Sequence, residues 1–271
     1  MSVKYSQCLA LILALMLVSS ATGWSQAPPE DWLKPYKTQV TRDVAGLATI
    51  QKSLAVMNPP SLPGITDASL EFNVSEWEGK SATGTCQETL IGMFSQSRSV
   101  VIDGSVVDHT VLKGGVRSSQ LADGGATSVN DRRAFEAIPL LPPVLLQEVL
   151  INPLDEIQSL PDDSNAPNQT IVRVTVRPAT WNPKTRDLES ASFDLYFDNG
   201  TQLLNKVLGV IHADGNPRHS ILHEVVYSQY QAIQSLMLPQ SIEERLIGKS
   251  MNIFSVKSIA INQGLSLSSL N

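Results

Sequence analysis

The stretch "YSQYQAIQSLMLPQSIEERLIGKSMNIFSVKSIAINQGLS", residues 227–266, decides how this chain folds. An apolar residue stands at nearly every second position, the period of a strand with one buried face. A single Leu-Pro, Leu238-Pro239, lies in its middle, and Gly248-Lys249 marks a reversal between two strands. Almost nothing in it could perform chemistry.

The same period extends upstream. "RHSILHEVVYSQY" reads as a strand, preceded by the turn "ADGNP" and the strand "QLLNKVLGVI". Asn199-Gly200 is the strongest short hairpin signal, because both residue types accept positive φ. In "ASFDLYF", Phe193, Leu195 and Phe197 alternate with Asp194 and Tyr196, and "TIVRVTVRP" is a further strand. Near the front, "ASLEFNVSEW" sets Leu70, Phe72 and Val74 against Glu71, Asn73 and Ser75, and β-like runs follow at "SATGTCQETLIGMF", "SRSVVIDG" and "SVVDHTVLKGG". "GGVRSSQLADGGATSVND" reads as a Gly/Ser-rich loop and "LDEIQSLPDDSNAPNQ" as an acidic one.

Helices are few. Val40, Val44, Leu47, Ile50 or Gln51, and Leu54 recur at helical spacing and end at the Pro-rich "MNPPSLPG". In "DRRAFEAIPLLPPVLLQEVLINP", Asp131 can cap a short helix through Ile138, and Pro143 suits the first residue of a second. Leu145, Leu146, Val149 and Leu150 make that second helix mostly apolar. Roughly nine or ten strands follow one another without βαβ alternation, which predicts an α+β fold: a curved antiparallel sheet, or incomplete β-barrel, covered by helices on its concave side.

The N-terminus, "MSVKYSQCLALILALMLVSSATGW", has the form of a secretory signal: one Lys, ten apolar residues from Leu9 to Val18, then small residues. The apolar run is too short for a span, so residues 1–23 are expected to be removed and no stable membrane insertion to follow. Residues 24–37 read as an irregular leader with three prolines, and 38–271 as one domain. The net charge of −6, which loss of Lys4 makes more acidic, argues against a nucleic-acid partner. Of two cysteines only Cys86 survives signal cleavage, so an intramolecular disulfide is impossible in the mature chain. The expected location is the periplasm or exterior of a Gram-negative bacterium.

Reactive constellations are sparse. There is no G-x-S-x-G and no S-x-x-K, so a hydrolase would need a dispersed site assembled from distant residues. His219 and His223 are four apart, but in a strand and without a third ligand nearby, so no metal and no cofactor is predicted. Cys86 reads as a small buried side chain. "GKS" occurs twice, at Gly79 and Gly248, yet the earlier glycine of a phosphate loop is replaced by Val74 and Glu243. The pairs Asp162/Asp163 and Glu243/Glu244 read as solvated surface. The matches to the glycosylation pattern, "NVS", "NQT" and "NGT", carry little weight, Asn199 being explained by its turn.

What remains is apolar surface. If sheet and helices enclose a cavity, Phe72, Val74, Leu145, Leu146, Phe193, Leu195 and Phe197 would line it and bury an acyl chain at about 0.8 kcal/mol per methylene. If they meet without a gap, the same residues are core, and the protein is a structural or interaction module whose rim, or the loop from Gly114 to Asn130, docks an envelope partner.

The segment from Tyr230 to Leu238-Pro239, followed by "IEERLIGK", a strand and "VKSIAINQGLS", resembles the closing strands of the periplasmic lipoprotein-carrier (LolA-like) superfamily, and more closely secreted members of acidobacterial type. "LATIQKSLAVM", "ITDASLEFNV", "TGTCQETLIGMFSQSRSVVIDG" and "ASFDLYFDNGTQLL" resemble its leading helix, first strand, next two strands and later hairpin. Three positions depart: Ser235 replaces the usual glycine, Gln229 the usual acidic residue, and Leu270 the usual terminal aromatic. The resemblance implies a half-barrel covered by helices that binds lipid or lipoprotein acyl chains without catalysis. The carriers' gating arginine has no matching motif, though Arg98 in "SQSRSVV" stands in a strand.

Overall fold

The computed structural model describes residues 40–92, 95–113, 116–121, 126–129, 138–176, 191–213 and 216–270, all within a unit spanning Tyr36–Asn271. The N-terminal segments, the helix expected from Asp131 and His219's side chain lie outside the described residues. The helices are α1 (Val44–Met57) and α2 (Pro142–Ile151). The strands in the first half are β1 (Asp67–Trp77), β2 (Lys80–Ile91), β3 (Gln96–Ile102), β4 (Ser105–Lys113), β5 (Val116–Leu121) and β6 (Ala126–Val129). Those in the second are β7 (Glu156–Ser159), β8 (Gln169–Val176), β9 (Ala191–Asp198), β10 (Leu204–Ala213), β11 (Asn216–Ile233), β12 (Leu236–Leu246) and β13 (Lys249–Ile261).

All thirteen form one open antiparallel sheet in the order β6-β5-β4-β3-β2-β1-β13-β12-β11-β10-β9-β8-β7. The chain meanders from the centre to one edge, crosses to the other edge through the connection holding α2, and meanders back until β13 pairs with β1. The sheet is curved. Arg98 on β3 and Glu244 on β12 are four strands apart, roughly 19 Å along a flat sheet at about 4.8 Å per strand, yet their side chains meet at 2.9 Å. Gly84, at the inward register of β2, permits this bend: a Cβ there would sit 2.1 Å from the Val101 carbonyl oxygen.

One core holds the inward strand residues together with Ile50 and Met57 of α1 and Val144, Leu145, Leu146 and Val149 of α2. The buried stripe of α1 is Gly46, Ile50, Ser53 and Met57, so the expected stripe is shifted and Val44 is exposed. Gly46 sets that face, its Cα lying against Ile157. Asp43 caps α1 by accepting from the Gly46 N–H at 3.0 Å. The Arg42 guanidinium donates to the carbonyls of Asn152, Val149 and Leu150, placing a cation on the negative end of α2. Gln147 exchanges two hydrogen bonds with the backbone of Ile65, fastening α2 to the entry of β1.

Both segments read as loops contain strands. β5 and β6 form a hairpin inside the Gly/Ser-rich stretch, and β7 lies in the acidic one. "VRSSQL" has no apolar alternation to announce a strand; backbone pairing alone makes it one. The Asn199-Gly200 hairpin also differs. Its connection runs to Leu203, the positive φ falls on Gln202, and Asp198 accepts from the N–H groups of Gly200 and Thr201. Asp194 and Tyr196, which alternate with the apolar row, are also buried, Asp194 in a two-pronged pair with Arg173 at 2.7 and 3.0 Å.

Four tight hairpins take positive φ at both central residues: Glu78-Gly79, Asp103-Gly104, Ile247-Gly248 and Gln234-Ser235. Only the last lacks glycine, and Ser235 is held at φ 70°. Ser235→Gly is therefore expected to stabilise the protein by about 1 kcal/mol, roughly 2–4 °C in melting temperature, as read by thermal unfolding. Ser235→Val should shift it the opposite way. Leu270, in place of an aromatic, is fully buried and anchors the C-terminal tail, while Asp67 accepts from the N–H groups of Gln263 and Gly264.

Candidate functional site

Strand alternation sends one row of β1, β2, β8, β9 and β12 into the core that the helices share. Phe72 and Val74 pair with Cys86 and Gly84 on β2 and with Val256 and Phe254 on β13, while Phe193 and Leu195 pair with Gly209 and Val207 on β10. All seven residues expected to line a cavity are buried at 3% exposure or less: Phe72, Val74, Phe193, Leu195 and Phe197 on the inward strand rows, and Leu145 and Leu146 on α2. They belong to one core.

The connection ahead of α2 runs across this apolar surface. Ile138, Leu140 and Leu141 are buried, and the Tyr227 hydroxyl donates to the Pro139 carbonyl at 3.1 Å. The Leu140 N–H donates to Glu88. Ile138 lies 4.0 Å from where a Cβ on Gly209 would stand, beside a cavity of about 10 Å³ bordered also by Phe193 and His223. That is room for one water.

Past this connection the buried interior turns polar. Arg98 donates through Nη1 to Glu244 Oε1 at 2.9 Å and through Nη2 to Glu88 Oε1 at 3.2 Å, so one guanidinium joins β2, β3 and β12 across the curve. Glu244 Oε2 accepts from the Asn252 side chain at 2.7 Å. The Phe254 ring lies 6.0 Å from the guanidinium carbon and meets Phe72 edge-on at 5.9 Å. Three buried polar atoms at this tie, Glu88 Oε2, Arg98 Nε and His223 Nδ1, have no hydrogen-bond partner.

Electrostatics follow the geometry. Burial pushes the Glu88 carboxyl above the ordinary carboxylate range, although Arg98 opposes it. Glu244 is buried too, but Arg98, His223 and Asn252 together hold its carboxyl below that range. Burial lowers His223, favouring neutral imidazole. Burial also raises the Cys86 thiol far above its usual value, which keeps it unreactive. Among the described residues no group of His, Cys, Asp and Glu is arranged to hold a metal ion, and no helix is long and apolar enough to cross a membrane.

The reading of Glu243/Glu244 as solvated surface is half right. The two point to opposite faces: Glu243 pairs with Arg245 at 2.6 Å, whereas Glu244 is buried against Arg98. Glu88 belongs to no chemical motif in the sequence, though its place between Cys86 and Leu90 at alternate positions marks it as inward.

No family model and no curated protein matches the sequence. Solved structures do resemble it. A DUF1329 family protein from Desulfovibrio piger is 10% identical over 84% of this chain and 96% of its own, with a TM-score of 0.47. A LolA superfamily protein from Nitrosomonas europaea is 9% identical over 83% and 97%, also with a TM-score of 0.47.

Proposed function

We propose that this chain is an exported, non-enzymatic envelope protein of a Gram-negative bacterium that holds an apolar ligand, a lipid or lipoprotein acyl chain, inside a helix-covered half-barrel. The observation that carries this reading is the continuous apolar inward surface: Phe72, Val74, Phe193, Leu195 and Phe197 opposite Leu145 and Leu146. Reactive groups nearby are occupied or shielded, Cys86 by burial and Glu244 by Arg98. The signal-like N-terminus supplies the route out of the cytoplasm. Native mass spectrometry of the purified protein should reveal bound lipid, and added fatty acid or lipopeptide should raise its melting temperature. Absence of both refutes the reading.

The burial of Ile138–Leu141 and α2 against the same surface favours a second reading, a filled barrel acting as an interaction module of the envelope. Deleting residues 114–130 separates the two. Pull-down of an envelope partner lost on deletion supports the module, whereas lipid binding that survives it supports the carrier.

A further inference from the structure

β11 outruns its neighbour. It spans Asn216–Ile233, but its ladder with β10 ends where Lys206 meets Val226, because β10 begins at Leu204. Beyond Val226 its strand partner among the described residues is β12 alone. Gln229, at φ 56°, interrupts the ladder there, so the direction of the backbone groups past it is counted from the turn. Gln234-Ser235 is a two-residue hairpin loop with positive φ at both positions, which makes the flanking Ile233 and Leu236 a hydrogen-bonded pair. Alternation then turns Gln231 toward β12 and turns the N–H and C=O groups of Tyr230 and Ala232 away from it. Pro239, in register with Tyr230, agrees with this parity, since it has no N–H to give β11. Among the described residues no backbone group bonds Tyr230 or Ala232 on that free side.

The two edges of this hairpin are not equivalent. β12 parts from β13 beyond Ser241, and its free edge is blunted by Pro239. The β11 edge has neither proline nor charge from Tyr227 to Ile233, so it keeps its donors and acceptors as a template for pairing. Beside it a notch of about 670 Å³ opens to solvent, walled by Thr201 and Leu203 of the β9–β10 connection and bordered by Val226, Tyr230 and Lys206. The Tyr230 hydroxyl spans the gap to the Leu204 carbonyl at 2.5 Å. The Lys206 ammonium stands 4.0 Å from the centre of the Tyr196 ring and has no carboxylate partner among the described residues. The connection admits a single extended chain and obstructs the edge of a second folded sheet. We propose that the β11 edge docks an extended peptide segment of a partner protein, added as a strand through the backbone of Tyr230 and Ala232, with apolar and acidic side chains in alternation. Leu203, Val226 and Tyr230 favour the apolar row, and Lys206 the acidic one. The notch lies outside the core, so this site is independent of what the interior holds.

The test uses a capped heptapeptide alternating valine and glutamate, and two backbone-N-methylated versions of it, one methylated at the valines and one at the glutamates. Binding to the full mature chain is read by calorimetry, and the amides of Tyr230 and Ala232 by hydrogen exchange in NMR spectra. The plain peptide is expected to bind and to slow exchange at both amides, while one of the methylated versions binds about tenfold or more weakly, because it has lost the donors on its pairing edge. Ala232→Pro removes an edge N–H that the fold does not use, so it should leave the melting temperature nearly unchanged and weaken the plain peptide by about tenfold. A peptide with lysine in place of glutamate should bind more weakly still. No binding at about 1 mM plain peptide overturns the proposal. So does binding that leaves both amides exchanging freely, equal binding of all three peptides, or tighter binding of the lysine peptide. Self-association that protects the same amides without peptide gives the edge to a second copy and overturns it as well. Should Ala232→Pro not fold, the exchange of the two amides in the unaltered protein still decides.

Discussion

Arg98→Met should cost about 3–5 kcal/mol of stability, because it strands two buried carboxylates with no cation between them. Arg98 is the only guanidinium bonded to either Glu88 or Glu244 among the described residues, and it joins strands that sit four apart in the sheet. In melting temperature the loss corresponds to roughly 10 °C for a domain of this size. The cost lies in the exposed penalty of the partners rather than in the worth of the bond. Hence Arg98→Met combined with Glu88→Leu and Glu244→Leu should recover most of the loss, since a buried ion cluster replaced by apolar residues is often neutral or stabilising. A loss below about 1 kcal/mol for Arg98→Met would mean that the cluster behaves as a solvated surface pair.

The pH dependence separates the parts. Glu244, whose carboxyl is held below the ordinary value of 4.5, contributes stability present above that value and lost as pH falls through its folded value. His223, lowered from 6.5, acts in the same direction: it must charge in the unfolded chain below about 6.5, so acid weakens the fold. Glu88, raised above 4.5, acts oppositely, and its contribution is complete at low pH and lost as pH rises. With Arg98 gone, both carboxylates gain protons more readily in the folded state. The deficit of Arg98→Met should therefore be smaller at pH 5 than at pH 8 in urea unfolding, and a deficit that grows on acidification would contradict the assignment.

How much of this was legible beforehand depends on whether a feature is local. Leu70, Phe72 and Val74, and Phe193, Leu195 and Phe197, announce an inward row by alternation alone, and they form it. The turns at Glu78-Gly79 and Ile247-Gly248 follow from glycine placed where φ must be positive. β5 and β7 were illegible because their pairing draws on backbone groups, with few apolar side chains to betray a face. The tie is different again. That Glu88 and Glu244 point inward is written in the spacing of their neighbours, Cys86 and Leu90 for the one and Ile242 for the other. That one arginine reaches both is not, because Arg98 and Glu244 are 146 residues apart in sequence and meet only through the curvature of the sheet.

The second large effect falls on the wall beside that tie. Phe254 is completely buried, crosses Phe72 at 61° with ring centres 5.9 Å apart, and lies against the Arg98 guanidinium at 6.0 Å. Phe254→Ala should cost about 3–5 kcal/mol, from the transfer energy of the ring and the cavity it leaves. Phe72→Ala removes a ring of equal size, equally buried, but without the guanidinium contact, so its cost should be lower by about 0.5–1 kcal/mol. The double variant should lose less than the sum by about 1 kcal/mol, the coupling of an edge-on aromatic pair. Urea unfolding of the four proteins measures all three quantities in one cycle. Strict additivity would mean that the two rings pack against the core independently. In that case the apolar wall and the polar tie would be separate features, because Phe254 is the residue that touches both. If the coupling is present, a change at Arg98 should be felt at Phe72 through Phe254, and Arg98→Met in the Phe254→Ala background should cost measurably less than in the parent.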